Sequence, residues 1–136
     1  MSETNGYIAW NELMTRDVEL AKTYYTHLCG WSYHPMKMPG GQDYFVALLD
    51  GAAAGGIMDT SDIPSYDKMP VHWLTYIGVG DVDAEVAKTE QMGGVIMRDP
   101  ITIPGIGRIA IVKDPAGAMV GLITEAEPVE EAPPEG

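Results

Sequence analysis

The chain has 136 residues, enough for a single domain to bury a core without disulfide staples. Twenty acidic against eight basic side chains give a formal charge of −12, which repels phosphate backbones and anionic lipid and so excludes nucleic acid and membrane as partners. Cys29 is the only cysteine, which rules out an internal disulfide and suits a reducing compartment, and no apolar run approaches the ~18 residues of a membrane span, so the expected location is the cytoplasm.

Ile8 to Thr15 has strand character, with Ile8, Trp10, Glu12 and Met14 on one face and Ala9, Asn11 and Leu13 on the other. Asp17 is placed to cap a helix running to about Leu28, because Val18, Ala21, Tyr25 and Leu28 share a face and Gly30 supplies a stop. Strands follow at Trp31 to Met36, Tyr44 to Leu49 and Ala53 to Met58, separated by the turns Pro39-Gly40-Gly41 and Asp50-Gly51. The first half therefore reads βαβββ, and residues 60–69, polar and proline-bearing, read as a linker.

The order then repeats. Val71 to Val79 is rich in strand formers, Asp83 is expected to cap a helix ending near Met92, and Gly94 to Ile103 starts a strand that Asp99-Pro100 interrupts. Arg108 to Val112 is a strand, Asp114 to Gly117 a hairpin turn, and Met119 to Ile123 the closing strand, with Gly121 inside it. A strand glycine usually marks the close approach of something bulky. Asp17 meets Asp81 and Gly30 meets Gly94 at a shift of 64, while Gly56 meets Gly121 at 65, so the two halves are copies of one unit.

The predicted fold class is α+β: two βαβββ modules, about residues 6–59 and 70–124, forming a curved sheet with a concave cavity in one domain of residues 1–124. Residues 125–136, with five glutamates and three prolines, form an acidic tail that has nothing to bury. The face carrying Trp10, Glu12, His72 and Tyr76 is the expected concave one, where a small ligand would bind. A carboxylate between Trp10 and Met14 costs desolvation energy unless it is solvated or paired. Glu12 is accordingly a candidate general base or ligand acceptor, with His72 as the second catalytic candidate; a strand-end histidine beside Pro70 is the plainer reading of His72. Met58, Met119 and Arg108 complete the ligand-binding candidates, against core packing for the methionines and a solvent-facing ion pair for the arginine.

The chain resembles the vicinal oxygen chelate superfamily of glyoxalase, bleomycin-resistance and dioxygenase proteins. The resemblance is carried by Trp10-Asn-Glu-Leu13 with Asp17 and Tyr25, Leu28-Cys-Gly-Trp31, Gly55-Gly-Ile-Met58, Asp81-Val-Asp-Ala84, Gly93-Gly94 and Asp114-Pro-Ala-Gly117. It implies one divalent metal held by the first strand and the last strand of each module, at Trp10, Gly56, Leu74 and Gly121. None of these side chains has a lone pair for a metal. No cofactor is therefore predicted, and the expected function is metal-independent, glyoxalase-like binding of a small organic molecule. The alternatives are a metal-dependent lyase, epimerase or dioxygenase with displaced ligands such as Glu12 and His72, and a non-catalytic interaction module. A homodimer is the expected assembly, and Trp10 is expected to lie over both Gly56 and Gly121.

Overall fold

The computed structural model describes residues 5–63 and 69–126. The elements run β1 (Tyr7–Thr15), α1 (Val18–Cys29), β2 (Ser32–Lys37), β3 (Asp43–Leu49) and β4 (Ala52–Asp59), then β5 (His72–Gly78), α2 (Val82–Gln91), β6 (Val95–Ile103), β7 (Gly107–Lys113) and β8 (Met119–Glu125). Both halves are thus βαβββ. The predicted linker lies partly, and the predicted acidic tail almost wholly, outside the described residues. Among the described residues no helix is long and apolar enough to cross a membrane.

The described residues fall into two compact units, one of residues 10–75 and one combining residues up to 9 with those from 76 onward. In the 10–75 unit the strand order is β2-β3-β4-β1. β1 runs parallel to β4, with Glu12 opposite Gly56 and Met14 opposite Met58. β3 and β4 are antiparallel, joined at Asp50-Gly51, whose positive φ angles of 53° and 85° give the tight turn the sequence announces. One face of this sheet receives α1: Leu13, Val18 and Ile57 are buried together, with Ala21, Tyr25, Tyr33 and Phe45 around them. Burying each such aliphatic side chain contributes about 1.5–3 kcal/mol.

α1 begins where its cap requires. The Asp17 carboxylate accepts from the Leu20 N–H at 3.0 Å, and Gly30 closes the helix in the left-handed region at φ 77°. The sequence places Leu28 on the buried face, but Leu28 is 61% exposed. Leu28 lies in the last turn of α1, next to the C-terminal stop, and joins Leu20 and Tyr24 among the exposed side chains of the helix.

In the other unit the order is β5-β8-β7-β6. Val82 and Val86 of α2 pack on Ala110, Val112 and Leu122. The cap differs from the expectation: Asp81, not Asp83, accepts the Ala84 N–H at 3.2 Å. Val82, only 1% exposed, must be the first helical residue for its side chain to reach the core, which leaves Asp83 in the first turn facing outward. β6 is not broken at Asp99-Pro100; it continues to Ile103 through two register shifts, since a bulged strand accommodates a proline without a ladder hydrogen bond. At the closing hairpin Asp114 accepts from the N–H groups of Ala116 and Ala118, and these bonds hold its carboxyl below the usual carboxylate range.

Three strand glycines are each covered by a tyrosine ring. A Cβ on Gly56 would strike the Tyr44 hydroxyl, one on Gly121 would strike the ring of Tyr76, and one on Gly78 the ring of Tyr7. The expectation that Trp10 overlies Gly56 and Gly121 is thereby corrected. Tyr76 stands directly opposite Gly121 in the parallel β5–β8 ladder, so its own ring falls across the glycine.

Gly56→Ala and Gly121→Ala are each expected to lower unfolding free energy by about 1–3 kcal/mol through overpacking. Gly80→Ala, whose Cβ would meet only the Asn5 side chain at 3.4 Å, should stay within about 0.5 kcal/mol of the parent in the same urea titrations. Loss of a cap at Asp81→Ala should cost about 1 kcal/mol, more than Asp83→Ala, which removes only an exposed ion pair.

Candidate functional site

The face of the 10–75 unit opposite α1 carries Glu12, Met14, Gly56, Met58 and Leu74, because these alternate in β1, β4 and β5 with the residues that pack on the helix. Met14, Met58 and Leu74 are each 1% exposed and form an apolar floor. Glu12, 6% exposed, is set into that floor. A carboxylate so placed needs partners.

One of them is Tyr44 of β3, which hydrogen-bonds to Glu12. Tyr44 pairs with Met58 across the β3–β4 ladder, one diagonal step from Gly56, and the missing side chain at Gly56 leaves the space into which the phenol extends. The Tyr44 oxygen also accepts the indole N–H of Trp10 at 2.8 Å. The phenol therefore acts as an acceptor toward Trp10 and a donor toward Glu12, using both of its hydrogen-bonding capacities. Burial and the charge of Glu12 push the Tyr44 hydroxyl pKa far above the ordinary tyrosine value, outweighing the opposing bond from Trp10. The phenol stays protonated wherever the protein is folded at ordinary pH.

The structure thus brings Trp10 and Glu12 together through a residue that sequence reasoning did not single out. His72 lies at the start of β5 with Nδ1 2.7 Å from the Pro70 carbonyl oxygen. A carbonyl only accepts, so Nδ1 carries the proton and Nε2, a buried atom without a hydrogen-bond partner among the described residues, presents its lone pair when the ring is neutral. In the other unit Tyr76 is 3% exposed against Gly121, and Met119 is half-buried at the start of β8. Arg108 is committed elsewhere: its Nε and one terminal nitrogen reach both oxygens of Asp83 at 2.7 and 3.0 Å, and the other reaches Thr102. These bonds hold the Asp83 carboxyl below its usual range.

The residues do not fit the metal of the vicinal oxygen chelate proteins. The side-chain space at Gly56 is filled by Tyr44 and that at Gly121 by Tyr76, and among the described residues no three His, Cys, Asp or Glu side chains come together.

The raised Tyr44 pKa fixes a sign for pH dependence. Above about pH 10 the unfolded chain loses the phenolic proton while the folded chain keeps it, so stability falls as pH rises, by at most about 1.4 kcal/mol per pH unit for this one proton. Tyr44→Phe should show a shallower loss between about pH 10 and 11.5 in denaturant titrations, with the difference from the parent vanishing in slope below about pH 9.

Comparison with known proteins gives a consistent family. The model of the Glyoxalase/Bleomycin resistance protein/Dioxygenase superfamily matches residues 7–122. CFP32 of Mycobacterium tuberculosis (strain CDC 1551 / Oshkosh), provisionally named a glyoxylase, is 36% identical over 121 residues, covering 89% of this chain and 45% of its own. The anthracycline biosynthesis protein DnrV of Streptomyces peucetius is 32% identical over 123 residues, covering 83% of this chain and 45% of its own, so the chain spans about half the length of these relatives. The crystal structure of methylmalonyl-CoA epimerase from Mycobacterium tuberculosis superposes with a TM-score of 0.64 at 18% identity, covering 91% of each chain, which shows the shared fold of βαβββ modules. The chain belongs to the Glyoxalase/Bleomycin resistance protein/Dioxygenase superfamily.

Proposed function

We propose that this protein is a metal-independent, glyoxalase-like member of its superfamily that binds a small organic molecule at the face carrying Trp10, Glu12, Met58 and His72, and that it works in the cytoplasm. The observation that carries the reading is the buried carboxylate of Glu12, held by Tyr44 in an apolar floor beside the half-buried indole of Trp10. An apolar surface with a few fixed polar groups is the usual make-up of a small-molecule site. Glu12 is the acceptor that we assign to a hydroxyl or N–H of the ligand. Tyr44 fixes the carboxylate, Trp10 supplies a flat apolar wall, and the lone pair on His72 Nε2 offers a second acceptor. Metal independence is supported by the tyrosine that fills the Gly56 position. Arg108 is left out of the site because Asp83 already takes its guanidinium.

Two named relatives bear on chemical class. CFP32 carries a glyoxylase name and DnrV is named for anthracycline biosynthesis, one pointing toward small carbonyl compounds and the other toward a polycyclic natural product.

The test is a thermal-shift and tryptophan-fluorescence screen of carbonyl metabolites and polyketide-derived aromatics with chelator present throughout. At least one compound is expected to raise Tm and change tryptophan emission with chelator present, the emission change being lost in Trp10→Phe, and Glu12→Gln should weaken binding at least tenfold, about 1.4 kcal/mol. Binding that appears only after adding Zn, Ni, Fe or Mn would overturn the proposal, as would a hit indifferent to both Glu12→Gln and Trp10→Phe.

A further inference from the structure

The duplicated modules fill the space between helix and sheet differently. In the 10–75 unit aromatic rings occupy it: Tyr25 of α1 meets Trp73 edge-on at 5.6 Å, the Trp73 indole N–H donates to the Tyr25 hydroxyl at 3.1 Å, and the same indole reaches over Gly55. At a shift of 64 the repeat places Thr89 where Tyr25 stands and Ala9 where Trp73 stands, and at 65 it places Val120 where Gly55 stands. Two large rings are thus replaced by small side chains, and the valine restores only part of their volume. In the unit that contains α2 this leaves a cleft of about 170 Å³ between α2 and the β7–β8 hairpin, lined by Thr89 and Val120 themselves, with the buried Val112 and Leu122 as its floor and Glu85, Lys88 and Asp114 at its mouth.

We propose that this cleft is a second binding site, which takes a small phenol: one aromatic ring bearing a hydroxyl donor. Its size fits, since an apolar cavity of about 150 Å³ holds a benzene-sized ring. Its class is supplied by the molecule's own repeat, because the group at the corresponding place of the first module is the phenol of Tyr25. The polar groups of the lining select the hydroxyl. Lys88 pairs with Glu85 at 3.4 Å, and Thr89 turns its hydroxyl back to the Glu85 carbonyl oxygen at 2.8 Å, so neither presents a donor to the ring. Asp114 Oδ1 accepts from the N–H groups of Ala116 and Ala118, which fixes the hairpin wall. The phenolic hydroxyl donates to a carboxylate at the mouth, Glu85 or Asp114. An aromatic acid is disfavoured there, because two carboxylates face it against one ammonium that is already paired. Every lining residue belongs to the unit that does not contain Glu12, so the cleft is separate from the site built on that carboxylate.

The test is methyl NMR of the full chain titrated with p-cresol up to about 10 mM, because a ligand of so few atoms in an open cleft reaches roughly millimolar affinity. One saturable site is expected, with the largest shifts at the methyl groups of Val112, Val120, Leu122 and Met92, the last a further lining residue. p-Methylanisole, which lacks the hydroxyl proton, and p-toluate, which carries a carboxylate instead, should each bind at least about threefold more weakly. Thr89→Tyr places the residue of the first module in the cleft and should weaken p-cresol at least tenfold. Met92→Ala, at a position 66% exposed and so tolerant of change, should weaken it about threefold with unchanged circular dichroism, and it decides the question if Thr89→Tyr does not fold. No saturation by p-cresol, shifts centred on Met14 and Met58 instead, equal binding of p-methylanisole, or binding indifferent to the folded variants would each overturn the proposal.

Discussion

The Tyr44 phenol, extended over a glycine, is the contact on which the site depends. Without a side chain at Gly56, β4 leaves a hole in the sheet face, and a ring reaching diagonally from β3 fills it. That ring places one oxygen where it can both accept from Trp10 and bond to Glu12. A buried carboxylate is tolerated in the β1 strand because this donor is fixed, and the donor is fixed because packing leaves the ring nowhere else to go. Backbone packing, side-chain volume and polar pairing are thus one constraint seen at three levels.

The two βαβββ modules meet the same backbone requirement by different means. Gly56 and Gly121 occupy equivalent strand positions, yet the first is covered by a tyrosine from an antiparallel neighbour and the second by a tyrosine from a parallel one. Position 12 of the first module, which corresponds to Tyr76 in the second, is thereby released from plugging and carries a carboxylate instead. The fold is duplicated while the chemistry is not, which is why superfamily membership leaves activity to be argued from the side chains.

Much of the architecture was legible in the sequence because it rests on local signals. Asp17, Gly30 and the Asp50-Gly51 pair each act within a few residues, and the structure places a cap, a stop and a turn at those points. The misses share a cause in tertiary context. Asp81 and Asp83 are equally good caps by type, and only the need to bury Val82 selects the first. Leu28 fits the apolar period of α1 but lies exposed in its last turn. Tyr44 was invisible because its partner Trp10 is 34 residues away. A signal for it existed: counting back from the Asp50-Gly51 turn places Tyr44 near Gly56, and only the register shift between Ala47 and Leu48 obscures which strand residue covers the glycine.

Tyr44 fills the slot that a metal ligand would use at Gly56, and on the proposed function Glu12 serves the protein without a metal. Elemental analysis of protein purified without added metal, repeated after dialysis against Zn, Ni, Fe and Mn, tests this most directly. Far less than one equivalent of any of them is expected, unchanged in Glu12→Gln. One tightly held equivalent that disappears in Glu12→Gln would contradict it.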